Sequence, residues 1–110
     1  TYEYEGQADI ALENAPENVS RIIDGGCGTG GLTKILAERN PDTEVLGIDL
    51  NGAMLEIAEN LVGRENVEFR EMDILDLETE ADVFTLFGTT PHLSQEHMQE
   101  IFTKVHGLIS

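Results

Sequence analysis

The chain has 110 residues, 40% of them apolar, which is enough for one modest hydrophobic core and too short for two domains. Asp and Glu number 22 against 6 Lys and Arg, a formal charge of −16; Lys34, Lys104 and the arginines are too few to neutralise a phosphate backbone, so no nucleic-acid partner is expected. The single cysteine, Cys27, excludes an internal disulfide framework and a cysteine-based zinc site, no apolar run is long enough for a membrane span and no secretory leader is evident, so the expected compartment is the cytoplasm.

A carboxylate-rich, lysine-poor surface fits a salt-adapted protein, or an acidic domain from an ordinary source. In either case self-repulsion weakens the compact state at low salt. The first residue is Thr1, which reads as a processed product or an excised segment. Thr1 to Gly6 is polar and acidic, and is expected to fray. Gln7 to Asn14 carries Ala8, Ile10, Ala11 and Leu12 and reads as a short helix ended by Pro16.

Val19 to Asp24 reads as a first strand. Leu32, Ile35 and Leu36 recur at helical spacing, which predicts a helix from Thr29 or Gly30 to about Asn40. Asn40-Pro41-Asp42 stops it. Glu44 to Asp49 reads as a second strand. Asn51 suits the N-cap of a second helix whose apolar stripe is Met54, Leu55, Ala58, Leu61 and Val62, with Gly63 at its end.

Val67 to Met72 alternates as a third strand. Asp73 to Ala81 is acidic and irregular, with room for one helical turn. Asp82 to Phe87 reads as a fourth strand and Gly88 to Leu93 as a loop. Ser94 then caps a last helix, with Leu93 and Met98 at hydrophobic-staple positions. Its expected buried stripe is Met98, Ile101, Phe102, Val105 and either Leu108 or Ile109. Strands alternating with helices imply an α/β fold, a Rossmann-like doubly wound parallel sheet. Ligands of such sheets sit beyond the strand C-termini.

Chemistry gathers at those ends. The first strand runs through Ile22 and Ile23 into Asp24 and then a small-residue loop, Gly25 to Gly31. Glycines there allow a sharp turn and close approach of a ligand, and the helix start behind them favours negative groups. The second strand ends at Asp49 and the third beside Asp73. A carboxylate accepts two hydroxyl hydrogen bonds at once and so suits a ribose diol. Asp49 lies 19 residues beyond Gly30, about the spacing of a ribose-binding acid. A strand-end acid or an N-cap is the plainer alternative for Asp49, and a turn-capping acid for Asp73. Cys27 lacks an obvious base and reads as a small loop residue rather than a nucleophile. His92 could orient a substrate or take its proton, or be a helix-capping or solvent-facing residue. His97 and His106 read as helix-surface residues, and no metal site is expected.

The string Asp24-x-Gly26-Cys27-Gly28-Thr29-Gly30 resembles the first motif of the class I S-adenosylmethionine-dependent methyltransferases. Gly47-Ile48-Asp49-Leu50-Asn51-x-x-Met54-Leu55 looks like the second, and Glu71-Met72-Asp73-Ile74 like the third. The resemblance implies S-adenosyl-L-methionine as cofactor. It implies that Asp49 holds the ribose hydroxyls, that Leu50 flanks the adenine with Met54 nearby, and that Asp73 accepts from the adenine amino group while the Ile74 N–H faces a ring nitrogen. Asp24 and the backbone of Gly26, Cys27 and Gly28 would meet the amino-acid end, with Phe87 supplying backbone contacts to the methionine portion. The methyl acceptor, expected to be a small molecule, would approach along Gly88 to Leu93, where His92 is the weak catalytic candidate.

Gly26-Cys27-Gly28-Thr29-Gly30-Gly31 also satisfies G-x-G-x-x-G, so an NAD- or nucleotide-binding Rossmann domain is an alternative. A pyrophosphate beside Asp24 disfavours it. The family order implies a partial sheet, 3-2-1-4, in a single domain lacking the usual last three strands, with a turn toward a fifth strand near Gly107. An edge strand four implies either self-association as a homodimer or the N-terminal part of a larger enzyme. A cofactor-binding module without turnover, or a scaffold domain, are the remaining alternatives.

Overall fold

The computed structural model describes residues 2–13, 15–88 and 94–109. In chain order they form α1 (Tyr2–Glu13), β1 (Arg21–Gly25), α2 (Gly31–Arg39), β2 (Glu44–Asp49), α3 (Gly52–Val62), β3 (Val67–Glu71), a short 3-10 turn (Ile74–Asp76), β4 (Val83–Thr85) and α4 (Gln95–Leu108). The four strands make one parallel sheet in the order β3-β2-β1-β4. This is the Rossmann-like arrangement expected from the alternation of strands and helices.

Successive residues of a strand face opposite sides of a sheet, and here both sides are covered. Ile22 and Val45 point to one side and pack with Ala8 of α1 and Leu32, Leu36 and Ala37 of α2. Ile23, Leu46 and Ile48 point to the other side and pack with Ile74, Leu77, Ile101 and Val105, so α4 and the 3-10 turn close that face. Each central strand thus reads as a continuous apolar run because it is buried on both sides. The cap expected at Asn51 is present: its Oδ1 accepts from the Met54 N–H at 3.2 Å. Gly63 ends α3 with φ 52°, a left-handed conformation open to glycine.

Several expectations need correction. Residues 2–6 are helical rather than frayed, because α1 docks on α2: the Tyr4 ring lies against Gly31, and Asp9 pairs with Arg39 at 2.6 Å. The stripe of α1 was illegible because its one fully buried side chain is Ala8. On α3 only Leu55, Ala58 and Val62 are buried, while Met54 and Leu61 of the expected stripe are 41% and 65% exposed. The covered strip is narrow because α3 rests at one side of the sheet, over Gly30 and Phe69. On α4 the stripe contracts to Ile101 and Val105, Phe102 is exposed, and the helix continues through Gly107. Leu93 of the expected staple lies outside the described residues.

β1 begins at Arg21 rather than Val19, and β4 is shorter than Asp82 to Phe87. Pairing of β4 with β1 stops where Thr85 meets Asp24. The Asp82 carboxylate instead accepts from the N–H groups of Ser20 and Arg21, fastening the start of β1. β4 is the outer strand of the order, but its leading end is met by the chain's own return from α4. Ile109 bridges Ala81 in parallel, and the Ala81 N–H donates to the Leu108 carbonyl at 3.0 Å. No helix among the described residues is long and apolar enough to cross a membrane.

Candidate functional site

Parallel strands bring their carboxyl ends to one edge, and Asp24, Asp49 and Asp73 stand along it. The glycine loop turns there through Gly26, Gly28 and Gly30, all at positive φ, where a Cβ would be strained. The end of β2 fixes it in place. The N–H groups of Gly26 and Cys27 donate to the Ile48 carbonyl at 2.8 and 3.0 Å. The Gly28 N–H donates to Asp49 Oδ2 at 2.8 Å, while Asp49 Oδ1 accepts from the Asn51 N–H at 2.9 Å. Asp49 therefore ties the loop to the start of α3, and each of its oxygens keeps a lone pair for a further donor.

Asp24 is in a different situation. It is 2% exposed, and its two oxygens accept from the hydroxyls of Thr33, at 2.7 Å, and Thr85, at 2.8 Å. Burial pushes its carboxyl up to about 6, against the lowering effect of the two hydroxyls, with the Asp49 charge adding to the rise. At neutral pH Asp24 is a shielded anion beneath the loop. Cys27 lies beside it, half-buried, and burial followed by the charges of Asp24 and Asp49 pushes its thiol well above the ordinary range. A thiol held protonated in this way is a poor nucleophile.

Two clefts open along this edge, sharing Gly26 and Gly88. The first has a volume of about 180 Å³. Ile48, Met72, Ile74 and Ile101 give it apolar walls, Asp49 and Asp73 its acidic margin, and Leu50 and His97 complete it. An apolar cleft with acceptors at its rim suits a nucleoside whose base carries an amino group and whose ribose carries a diol. The second, about 260 Å³, runs over the loop past Asp24, Cys27 and Gly28 and is flanked by Tyr4, Gln7, Met54 and Phe87. A buried anion beneath this cleft suits a ligand that carries a positive group. The clefts meet where Gly88 presses on the Gly26 carbonyl, a position with no room for a Cβ.

All ten expected binding positions line one cleft or the other. Gly26, Asp49, Leu50, Asp73 and Ile74 line the first, and Asp24, Gly26, Cys27, Gly28, Met54 and Phe87 the second. Met54 lies beside Gly28. Leu50 precedes the Asn51 cap and Met54 stands in the first turn of α3, and they line different clefts. Asp73 also caps the 3-10 turn, Oδ1 accepting from the Leu75 N–H at 2.9 Å. His92 lies outside the described residues.

His97 contradicts its expected place on the helix surface, because the first turn of α4 leans over the first cleft. Its spacing four residues before the buried Ile101 was the available signal. Thr33 and Thr85 were also missed; a hydroxyl on an otherwise apolar strand, as at Thr85, marks a buried polar partner. Among the described residues no group of His, Cys, Asp and Glu could hold a metal ion.

Comparison with known proteins gives the family. A family model described as a methyltransferase domain matches residues 22–110. A malonyl-[acyl-carrier protein] O-methyltransferase of Acetivibrio thermocellus is 46% identical over 57 residues, which are 52% of this chain and 20% of that protein. A demethylmenaquinone methyltransferase of Thermus thermophilus is 42% identical over 73 residues, 66% of this chain and 30% of that protein. The structure of PKMT2 from Rickettsia typhi in complex with AdoHcy superposes with a TM-score of 0.77 at 26% identity, covering 97% of this chain and 22% of that one. The chain thus spans less than a third of the length of each of these relatives. The chain belongs to the class I S-adenosylmethionine-dependent methyltransferase family, whose cofactor is S-adenosylmethionine.

Proposed function

We propose that this chain is the cofactor-binding part of a methyltransferase that acts on a small molecule. The observation that carries the reading is the continuity of the two clefts across Gly26 and Gly88, with open acceptors in one and a buried anion in the other. In the first, Asp49 takes the ribose hydroxyls, Asp73 the adenine amino group and the Ile74 N–H an adjacent ring nitrogen, with Leu50 against the base. In the second, the amino-acid end lies along the backbone of Gly26, Cys27 and Gly28 with its ammonium toward Asp24, and Phe87 contributes backbone contacts.

When bound, the cofactor supplies an electrophilic methyl group on a sulfonium. The residues described here hold and orient it; positioning is the larger part of such catalysis. The described elements then act as one cofactor-binding domain. A homodimer through β4, the outer strand of the sheet, belongs to the same proposal. A small acceptor is supported by the Thermus relative, which by its name acts on demethylmenaquinone, and by the charge of −16, which repels nucleic acid. A cytoplasmic location belongs to the same proposal, the lone thiol at Cys27 being suited to a reducing compartment.

Calorimetric titration with S-adenosylhomocysteine, at low and high salt, tests the reading. Saturable one-to-one binding is expected, with none for NAD. Folded protein that binds NAD, or that ignores S-adenosylhomocysteine in both buffers, contradicts it. Methyl transfer to a pool of small acceptors then separates a catalyst from a module that only binds.

A further inference from the structure

Resting on that cofactor reading, we propose that His97 determines specificity for the base by donating a ring N–H to N3 or N7 of the purine. Adenine offers its amino group as a donor and exposes ring nitrogens as acceptors. The side chains at the rim of the first cleft, the carboxylates of Asp49 and Asp73, are acceptors and satisfy only donors. Among the described residues lining this cleft, His97 is the one side chain that carries an N–H. No other described residue uses that group, since no hydrogen bond joins the His97 ring to them.

Its position is set by a helix and not by a loop. Ser94 Oγ accepts from the His97 N–H of the main chain at 3.1 Å, fixing the first turn of α4. One turn later Ile101, 1% exposed, anchors the same face to the sheet. Residues four apart on a helix stand one above the other, so the buried Ile101 aims His97 at the cleft. The imidazole also adds a flat apolar surface against the base.

The test is calorimetry of the parent, His97→Ala and His97→Phe with S-adenosylhomocysteine and with its deaza analogues that lack N3 or N7. His97 is half-buried at the first turn of α4, and thermal melts establish that both variants fold. Both variants are expected to bind S-adenosylhomocysteine about tenfold more weakly, ~1.4 kcal/mol, the Phe variant because it keeps the ring and loses the donor. The parent discriminates against one deaza analogue by a similar factor, and both variants lose that discrimination. Variants that bind within about twofold of the parent, or that still discriminate, overturn the proposal while leaving the cofactor reading intact. A parent that binds no S-adenosylhomocysteine overturns both.

Discussion

Asp24 and Asp49 close neighbouring strands, each after an apolar run, and the fold gives them opposite duties. Asp24 sits beneath the glycine loop, sealed from solvent and held by the side chains of Thr33 and Thr85. Asp49 sits at the mouth of the cleft, half-buried and held by the backbone N–H groups of Gly28 and Asn51. One is a stored charge that acts through the floor of a cleft. The other is a clamp that ties the loop to the start of α3 and keeps lone pairs open to a further donor. A strand-end acid is therefore a position, and its function is decided by which donors the fold brings to it.

The largest effect is expected at the clamp. Asp49→Ala removes two hydrogen bonds within the protein and the acceptor for the ribose. Hydrogen bonds to charged groups are worth about 1.5–3 kcal/mol each, so affinity for S-adenosylhomocysteine falls by about a hundredfold or more in calorimetry. A variant that binds like the parent would make Asp49 a structural acid only.

Asp24 is next, and its signature is a pH slope. Its carboxyl rises from an ordinary value of 3.8 to about 6 on folding. Between about pH 4 and pH 6 the folded state keeps a proton that the unfolded chain has released, so stability is lost as pH rises through that window. The raised value corresponds to about 3 kcal/mol of unfavourable ionisation at neutral pH. Asp24→Asn abolishes that contribution. Urea unfolding is expected to show the variant gaining on the parent as pH rises from about 4 to about 6, by up to about 3 kcal/mol. Its affinity for S-adenosylhomocysteine falls all the same, because the stored charge is gone. A difference that does not vary with pH would mean that Asp24 ionises as freely as an exposed acid.

Thr85→Val gives the smallest change. It keeps the side-chain shape and removes one of the two hydroxyls on Asp24. A loss of about 1–2 kcal/mol is expected near pH 7, and a smaller one near pH 5, where Asp24 is protonated. Equal losses at both values would detach Thr85 from the charge of Asp24.

Much of the binding edge was legible because it is local. Apolar runs ending in acids, and glycines where the chain must turn at positive φ, are written in adjacent residues, and the order β3-β2-β1-β4 follows from their alternation with helices. What escaped is what periodicity does not encode. It marks an apolar face without saying how wide a strip is covered, so Met54 and Leu61 were read as buried on α3. It is silent on docking by small residues, so α1, held through Ala8 and the contact of Tyr4 with Gly31, was read as short. It says nothing of which helix end overhangs a cleft, so His97 was read as surface.

The central claim is that one ligand spans both clefts across Gly26 and Gly88. At 12.1 kDa the protein suits amide NMR, and titrations with adenosine and with S-adenosylhomocysteine test the claim directly. Adenosine is expected to shift Asp49, Leu50, Ile74 and His97, and S-adenosylhomocysteine to shift the same amides together with Cys27, Gly28 and Phe87. If the two ligands shift one and the same set, or if the shifts fall away from the strand ends, the clefts do not form a single cofactor site.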